Sequence, residues 1–291
     1  MNRFGFNINL TMSPEEIRKT GEEMLGTGQY HAIEVTYYEH LEGIDTTAYN
    51  EAILEIVEKY SPEVFVHIVD FNLSEENSVL RKAILDEAVN CINYTKMIKG
   101  KSIVIHSGNH ITGQHSPLAA VKEQIWGKDS EKTARDRAWE LSVAMMQNIC
   151  DAGKDMMFYT ENINEGNNTR TTDQLIRYLN DVGRDNLKMV FDVGHCHLAG
   201  YGIVPEIKKA KGILAHLHIH DNHGPHNEGW LDEHLPLGEG TTDFEEFVKT
   251  LLSVGYEGIY MMELRHPTPE NLKVCRAVLE ETLGEEEQVS L

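Results

Sequence analysis

No run of apolar residues in the sequence approaches the ~20 that a bilayer-spanning helix needs. Met1 to Leu10 hold no continuous apolar core of the kind a secretory leader carries. Basic residues are scarce: 26 Lys and Arg stand against 47 Asp and Glu, a formal net charge of −21. That balance argues against holding nucleic acid by bulk electrostatics and against docking on an anionic membrane face. Cysteine is sparse too. Cys91, Cys150, Cys196 and Cys275 lie far apart and none forms a C-x-x-C pair, so reduced thiols in a cytoplasmic protein are expected rather than a disulfide framework. No low-complexity stretch or break in composition marks a linker, so 1–291 is expected to be a single domain. The first apolar run is not followed by a glycine-rich phosphate loop, which weakens a nucleotide-binding open sheet.

What the sequence does have is histidine. It carries 15, roughly twice what average composition gives a chain of this size. The rest is ordinary globular composition, with 41% hydrophobic and 25% charged residues.

Eight short apolar runs, at 4–10, 32–38, 64–69, 102–106, 156–162, 187–192, 213–220 and 258–264, read as strands buried on both faces of a parallel sheet. Helix-period segments lie between them at 14–25, 49–60, 79–98, 132–152, 172–182 and 244–254. Ser13-Pro14-Glu15-Glu16, Thr171-Thr172-Asp173 and Thr242-Asp243 supply helix starts, and Gly153, Gly183 and Gly255 supply stops. About eight strand–helix units in strict alternation predict an α/β fold, a (β/α)8 TIM barrel, with a doubly wound sheet as the rival. Two connections are long, from 108 to about 130 and from 222 to about 243. Both follow strand C-termini, the active-site face of a barrel.

Ionisable groups recur near those same strand ends. His67, His106, Glu161, Asp192 (with His195 three residues on), His218 and Glu263 sit near the ends of six successive strands. A barrel gathers strand ends into a ring, and in-pointing positions recur every second residue. Carboxylates crowded alone would repel, whereas carboxylates mixed with imidazoles form a divalent metal site suited to Zn²⁺ or Mn²⁺. His216 is expected deeper and His220 nearer the rim, both in structural or supporting parts. His197, His223 and His226 fall on predicted loops.

The chain resembles the xylose isomerase-like TIM barrels, which include sugar (phosphate) isomerases and epimerases and endonuclease IV. Four segments carry the resemblance: Phe191-Asp192-Val193-Gly194-His195, His218-Ile219-His220-Asp221-Asn222, Asp232-Glu233-His234-Leu235-Pro236-Leu237-Gly238-Glu239-Gly240, and Gly255-Tyr256-Glu257-Gly258 leading to Met262-Glu263-Leu264. It implies one divalent ion, Mn²⁺ or Zn²⁺, held by Glu161, Asp192, His218 and Glu263. The endonuclease branch would add His67, His106, His195, Asp232 and His234, enough residues for two or three ions.

The implied activity is isomerisation or epimerisation of a keto sugar or polyol-type substrate. The metal polarises a carbonyl, and Glu161 and Glu263 remove and return the neighbouring proton through an enediolate, with His195 assisting. A multi-metal phosphodiester hydrolase and a metal-binding auxiliary subunit are the alternatives. A hydrolase of that branch needs a basic approach for DNA, which the long loops lack. Arg265 is the best candidate for a phosphate contact, and Trp126 and Trp230, on the long connections, are candidate substrate contacts. With so little positive charge, an unphosphorylated sugar is expected, with no nucleic-acid or membrane partner; self-association is left open.

Overall fold

The structure, a computed structural model, describes residues 3–40, 42–68, 71–109, 130–163, 167–226 and 231–289. Its strands are β1 (Arg3–Ile8), β2 (Tyr30–Thr36), β3 (Glu63–Ile68), β4 (Ser102–Ile105), β5 (Met157–Glu161), β6 (Leu187–Asp192), β7 (Leu214–Ile219) and β8 (Ile259–Met262). Each pairs in parallel with the next, and β1 pairs with β8 through Phe4↔Tyr260 and Phe6↔Met262, which closes the barrel. Closure leaves no open edge and so excludes the doubly wound rival.

Nine α-helices lie among the described residues: α1 (Pro14–Leu25), α2 (Thr47–Tyr60), α3 (Ser78–Met97), α4 (Ser130–Ala152), α5 (Thr172–Val182), α6 (Val193–Ala199), α7 (Ile203–Lys209), α8 (Phe244–Val254) and α9 (Pro269–Val289). The start signals work as expected. Ser13 and Thr171 form capping boxes with Glu16 and Gln174, and Asp243 accepts from the Glu246 amide. The periodicity did not anticipate α6 or α7. They are seven residues each, too short to show an amphipathic repeat, and α6 starts directly on Asp192, its N-cap. His197 therefore lies on a helix, not on a loop. No helix among the described residues is long and apolar enough to cross a membrane.

The apolar core has two parts. The larger lies between the outer faces of the strands and the helices. The smaller plugs the barrel with Ala32, Phe65, Ile259 and Met261, against which Tyr159 packs. Gly5 admits this plug, since a Cβ there would lie 2.8 Å from the Met261 side chain. Two residues beyond the uppermost floor residue of four strands, the same strand face carries an ionisable group: Ala32 then Glu34, Phe65 then His67, Tyr159 then Glu161, Met261 then Glu263. The period of two along each strand thus stacks a charged layer directly on an apolar floor. Trp126 and Trp230, expected at the mouth, lie outside the described residues.

Candidate metal centre

Four side chains meet at the centre of the charged layer. His218 Nδ1 lies 2.9 Å from Glu161 Oε2, 3.2 Å from Glu263 Oε2 and 3.9 Å from Asp192 Oδ2. Glu161, Asp192 and His218 are fully buried. All four facing atoms (Glu161 Oε2, Asp192 Oδ2, His218 Nδ1 and Glu263 Oε2) lack an aligned hydrogen-bond partner. Buried polar atoms left this way cost free energy unless something else satisfies them. Glu161, Asp192 and His218 offer ligand atoms within reach of one another, and Glu263 joins them through His218, a set of one imidazole nitrogen and three carboxylate oxygens that fits a divalent cation.

Backbone clamps hold these residues in place. The Asn162 side chain donates to the Asp192 carbonyl and accepts from its amide, fixing the end of β6. Asn7 pairs in the same two-way manner with the backbone of Leu264, just past Glu263. Asp221 accepts from the amides of Gly238, Gly240, Thr242 and Asn222. The joint appearance of His-Asp-Asn and Leu-Gly-Glu-Gly in the sequence is therefore partly a loop clamp.

His67 and His106 flank one side. Their Nε2 atoms are 3.1 Å apart, and that of His106 lies 2.9 Å from Glu161 Oε1. On the other side, His195 Nε2 lies 2.8 Å and His234 Nε2 3.1 Å from Asp232 Oδ2. All nine residues singled out for metal thus fall in one contiguous cluster at the strand ends. His106, Asp232, His234 and Glu263 are partly exposed at its mouth, and the other five form its buried floor. Arg265 stands apart on the surface. Its guanidinium donates to the Asp232 carbonyl at 2.7 Å and so braces that loop.

Glu34 was not anticipated. The predicted strand 32–38 put it far from the strand end, whereas β2 stops at Thr36 and leaves it two residues short. It is 1% exposed, and its Oε2 accepts from His218 Nε2 at 3.0 Å. That bond fixes the imidazole so that Nδ1 faces the other three residues, the outer-shell arrangement that orients histidine ligands. Glu34→Gln keeps the acceptor but removes the charge. We expect it to weaken divalent-ion binding by ~10–100-fold, measured by calorimetry, with activity regained at saturating metal. Unchanged ion affinity would contradict the orienting part assigned to Glu34.

Charge balance follows from this packing. Burial raises the pKa of Glu34, but His218, through charge and hydrogen bond, and His67 outweigh it and hold the carboxyl at about 2. Burial likewise opposes charge on Glu161 and Glu263, yet His218 above all holds both well below the usual carboxylate range. His67 resists desolvation because Glu263 and Glu34 push it up to about 10. His216, deeper and stacked on Phe65 at 4.3 Å, goes the other way. Burial and the neighbouring His218 bring it to about 3, so it is a neutral part of the floor.

The sequence profile of the xylose isomerase-like TIM barrels matches residues 25–282, and the chain belongs to that family. Among its relatives is an uncharacterised protein of Methanocaldococcus jannaschii, 24% identical over 249 residues, 81% of this chain and 78% of that one. An L-ribulose 3-epimerase of Mesorhizobium japonicum is 27% identical over 143 residues, 48% of this chain and 44% of the enzyme. Among solved structures, that of IolI protein with a binding zinc atom superposes with a TM-score of 0.71. It covers 96% of this chain and 98% of that one at 18% identity, a likeness of fold.

Proposed function

We propose that the protein is a divalent-metal-dependent isomerase or epimerase of keto sugars or related polyols. The observation that carries this reading is that buried, unsatisfied oxygens of Glu161, Asp192 and Glu263 all face His218 Nδ1, itself unsatisfied, within 3.9 Å. Similarity to an L-ribulose 3-epimerase supports the substrate class. A bound Mn²⁺ or Zn²⁺ would supply Lewis acidity toward a carbonyl and the adjacent hydroxyl oxygen.

The protein's own residues do the rest. Glu161 and Glu263, ionised at neutral pH, come from β5 and β8 and can approach a substrate from different sides of the ring. One carboxylate takes the proton from the carbon beside the carbonyl, giving an enediolate. Return to the opposite face of that carbon gives the epimer, and return to the neighbouring carbon gives the aldose. His195 would hold charge on a substrate oxygen: its Nδ1 donates to the Asn162 carbonyl at 3.0 Å, and its Nε2 faces Asp232 Oδ2 at 2.8 Å across the cluster. The chain's shortage of Lys and Arg favours an uncharged sugar, with Arg265 the candidate for a phosphate among the described residues.

A second reading, a multi-metal phosphodiester hydrolase, is favoured only by the two flanking clusters at His67–His106 and Asp232–His234. Incubating the Mn²⁺- and Zn²⁺-loaded protein with ketopentoses, ketohexoses and inososes, alongside an abasic-site DNA duplex, separates the two. The expected result is a new sugar isomer by NMR with the duplex intact. Duplex cleavage with no sugar product would reverse the order.

A further inference from the structure

We propose that Thr36 receives a hydroxyl of the substrate, on the part of its carbon skeleton away from the reacting carbons, and so helps set which keto sugar is turned over; this rests on the reading just given. The residues proposed to hold the ion come from one side of the barrel. Glu161 ends β5, Asp192 ends β6, His218 lies in β7 and Glu263 follows β8. In a closed ring of eight strands, β2 stands across from β6. A substrate whose carbonyl end lies at the ion therefore extends toward the wall made by β1, β2 and β3.

Thr36 is the last residue of β2. Ala32 belongs to the apolar floor and Glu34 bonds His218, so the period of two aims Thr36 at the barrel axis, one step nearer the mouth. Strand pairing persists to this point. Thr36 is in register with His67, and the Tyr37 amide donates to the His67 carbonyl. That neighbour touches both reacting carboxylates: His67 Nδ1 lies 3.2 Å from Glu263 Oε1 and its Nε2 3.6 Å from Glu161 Oε1.

What singles Thr36 out is an unspent hydroxyl. The other inward polar side chains described on this wall are used within the protein. Asn7 is bound both ways to the backbone of Leu264. Asn9 donates to the carbonyls of Leu264 and Arg265 and accepts from the amide and hydroxyl of Thr11. His67 lies between Glu263 and His106. Thr36 is partly exposed, and its hydroxyl has no hydrogen-bond partner among the described residues.

A threonine hydroxyl both donates and accepts, so it can meet a sugar hydroxyl in either role. Branching at Cβ restricts χ1 and holds that hydroxyl in few directions, which lets it tell apart sugars that differ in configuration at one carbon. A bond made away from the reacting carbons is equally strong in the ground and transition states, so it acts on KM.

The test compares metal-loaded wild type, Thr36→Val and Thr36→Ser. Each is assayed on the keto sugar the wild type turns over best, and on analogues that each lack one hydroxyl away from the reacting carbons. Valine keeps the branched shape and the strand preference and removes only the hydroxyl. Thr36→Val is expected to lower kcat/KM for the parent sugar by ~3–10-fold, the loss of one uncharged hydrogen bond, through KM with kcat little changed. Thr36→Ser should recover most of that loss. One analogue should be turned over alike by the wild type and Thr36→Val, because the bond is absent from both. An unchanged KM in Thr36→Val overturns the proposal. So does an equal loss on the parent and on every analogue, which would make Thr36 a packing residue. A markedly lower melting temperature in Thr36→Val overturns it too, since the hydroxyl would then be bonded within the protein. A wild type that turns over no keto sugar fails the isomerase reading, and this inference with it. An active wild type matched by Thr36→Val fails this inference alone.

Discussion

Glu161→Gln is expected to lower turnover of the cognate ketose by ~10⁴-fold or more, the upper range for loss of a general base, because the residue also holds metal. Glutamine preserves the volume of a fully buried side chain, so the fold should survive. The amide cannot take a proton from carbon. It also turns one oxygen into an NH₂ group facing His106 Nε2, 2.9 Å from Oε1, or His218 Nδ1, 2.9 Å from Oε2. Glu263→Gln is expected to be comparably damaging. Measuring bound metal in each variant separates loss of the ion from loss of the base. Near-wild-type turnover in both variants with metal retained would show that the acid–base pair is misassigned.

The second large effect is expected on removing metal. The chelated protein should be inactive and regain activity with Mn²⁺ or Zn²⁺. Ion at ~1,000 times its dissociation constant stabilises by about 4 kcal/mol, a melting shift of roughly 5–10 °C for a chain of this size.

The shift should depend on pH in a defined direction. In the stripped protein His67 is raised to about 10 and His234 to about 9, by carboxylates that outweigh desolvation. Their ion-pair stabilisation is complete below the unfolded-state value near 6.5 and is lost as pH rises through 9 to 10. An ion at Glu161, Asp192, His218 and Glu263 would repel these charged rings and compete for the Glu263 carboxylate that helps raise both, so loading is expected to release protons and tighten over the same window. The melting difference between loaded and stripped protein should therefore widen from pH 6.5 to 9. A constant or shrinking difference would show that these imidazoles are not displaced from their carboxylate partners by metal.

Much of the fold was legible because a buried parallel strand writes itself as a short apolar run, and eight of these alternated with capped helical segments. The site was legible from phase. An ionisable residue two positions past an apolar one, at the end of strand after strand, has few other uses in a barrel. Glu34 escaped because strand ends are blurred in sequence: an end two residues too late moved it off the ring. His220, expected nearer the rim, is fully buried, and it escaped for a different reason. Alternation placed it on the right face, but its depth depends on the twist at the end of β7 and on Gly194 yielding space, a contact between positions 26 residues apart. Helices α6 and α7 were too short to leave a period. Asp221 carried a motif whose purpose, holding four amides of one loop, appears only once the loop folds back upon it.

The most direct measurement follows deuterium. Metal-loaded protein is incubated in D₂O with L-ribulose, D-tagatose, D-psicose and D-fructose, and each ketose is examined by proton NMR. The expected result is loss of the proton on the carbon beside the carbonyl of at least one sugar, with its isomer appearing, and neither event in Glu161→Gln. Isomer formed with that proton retained, or no exchange in any ketose while the abasic duplex is cut, would contradict a proton-abstracting centre at Glu161 and Glu263.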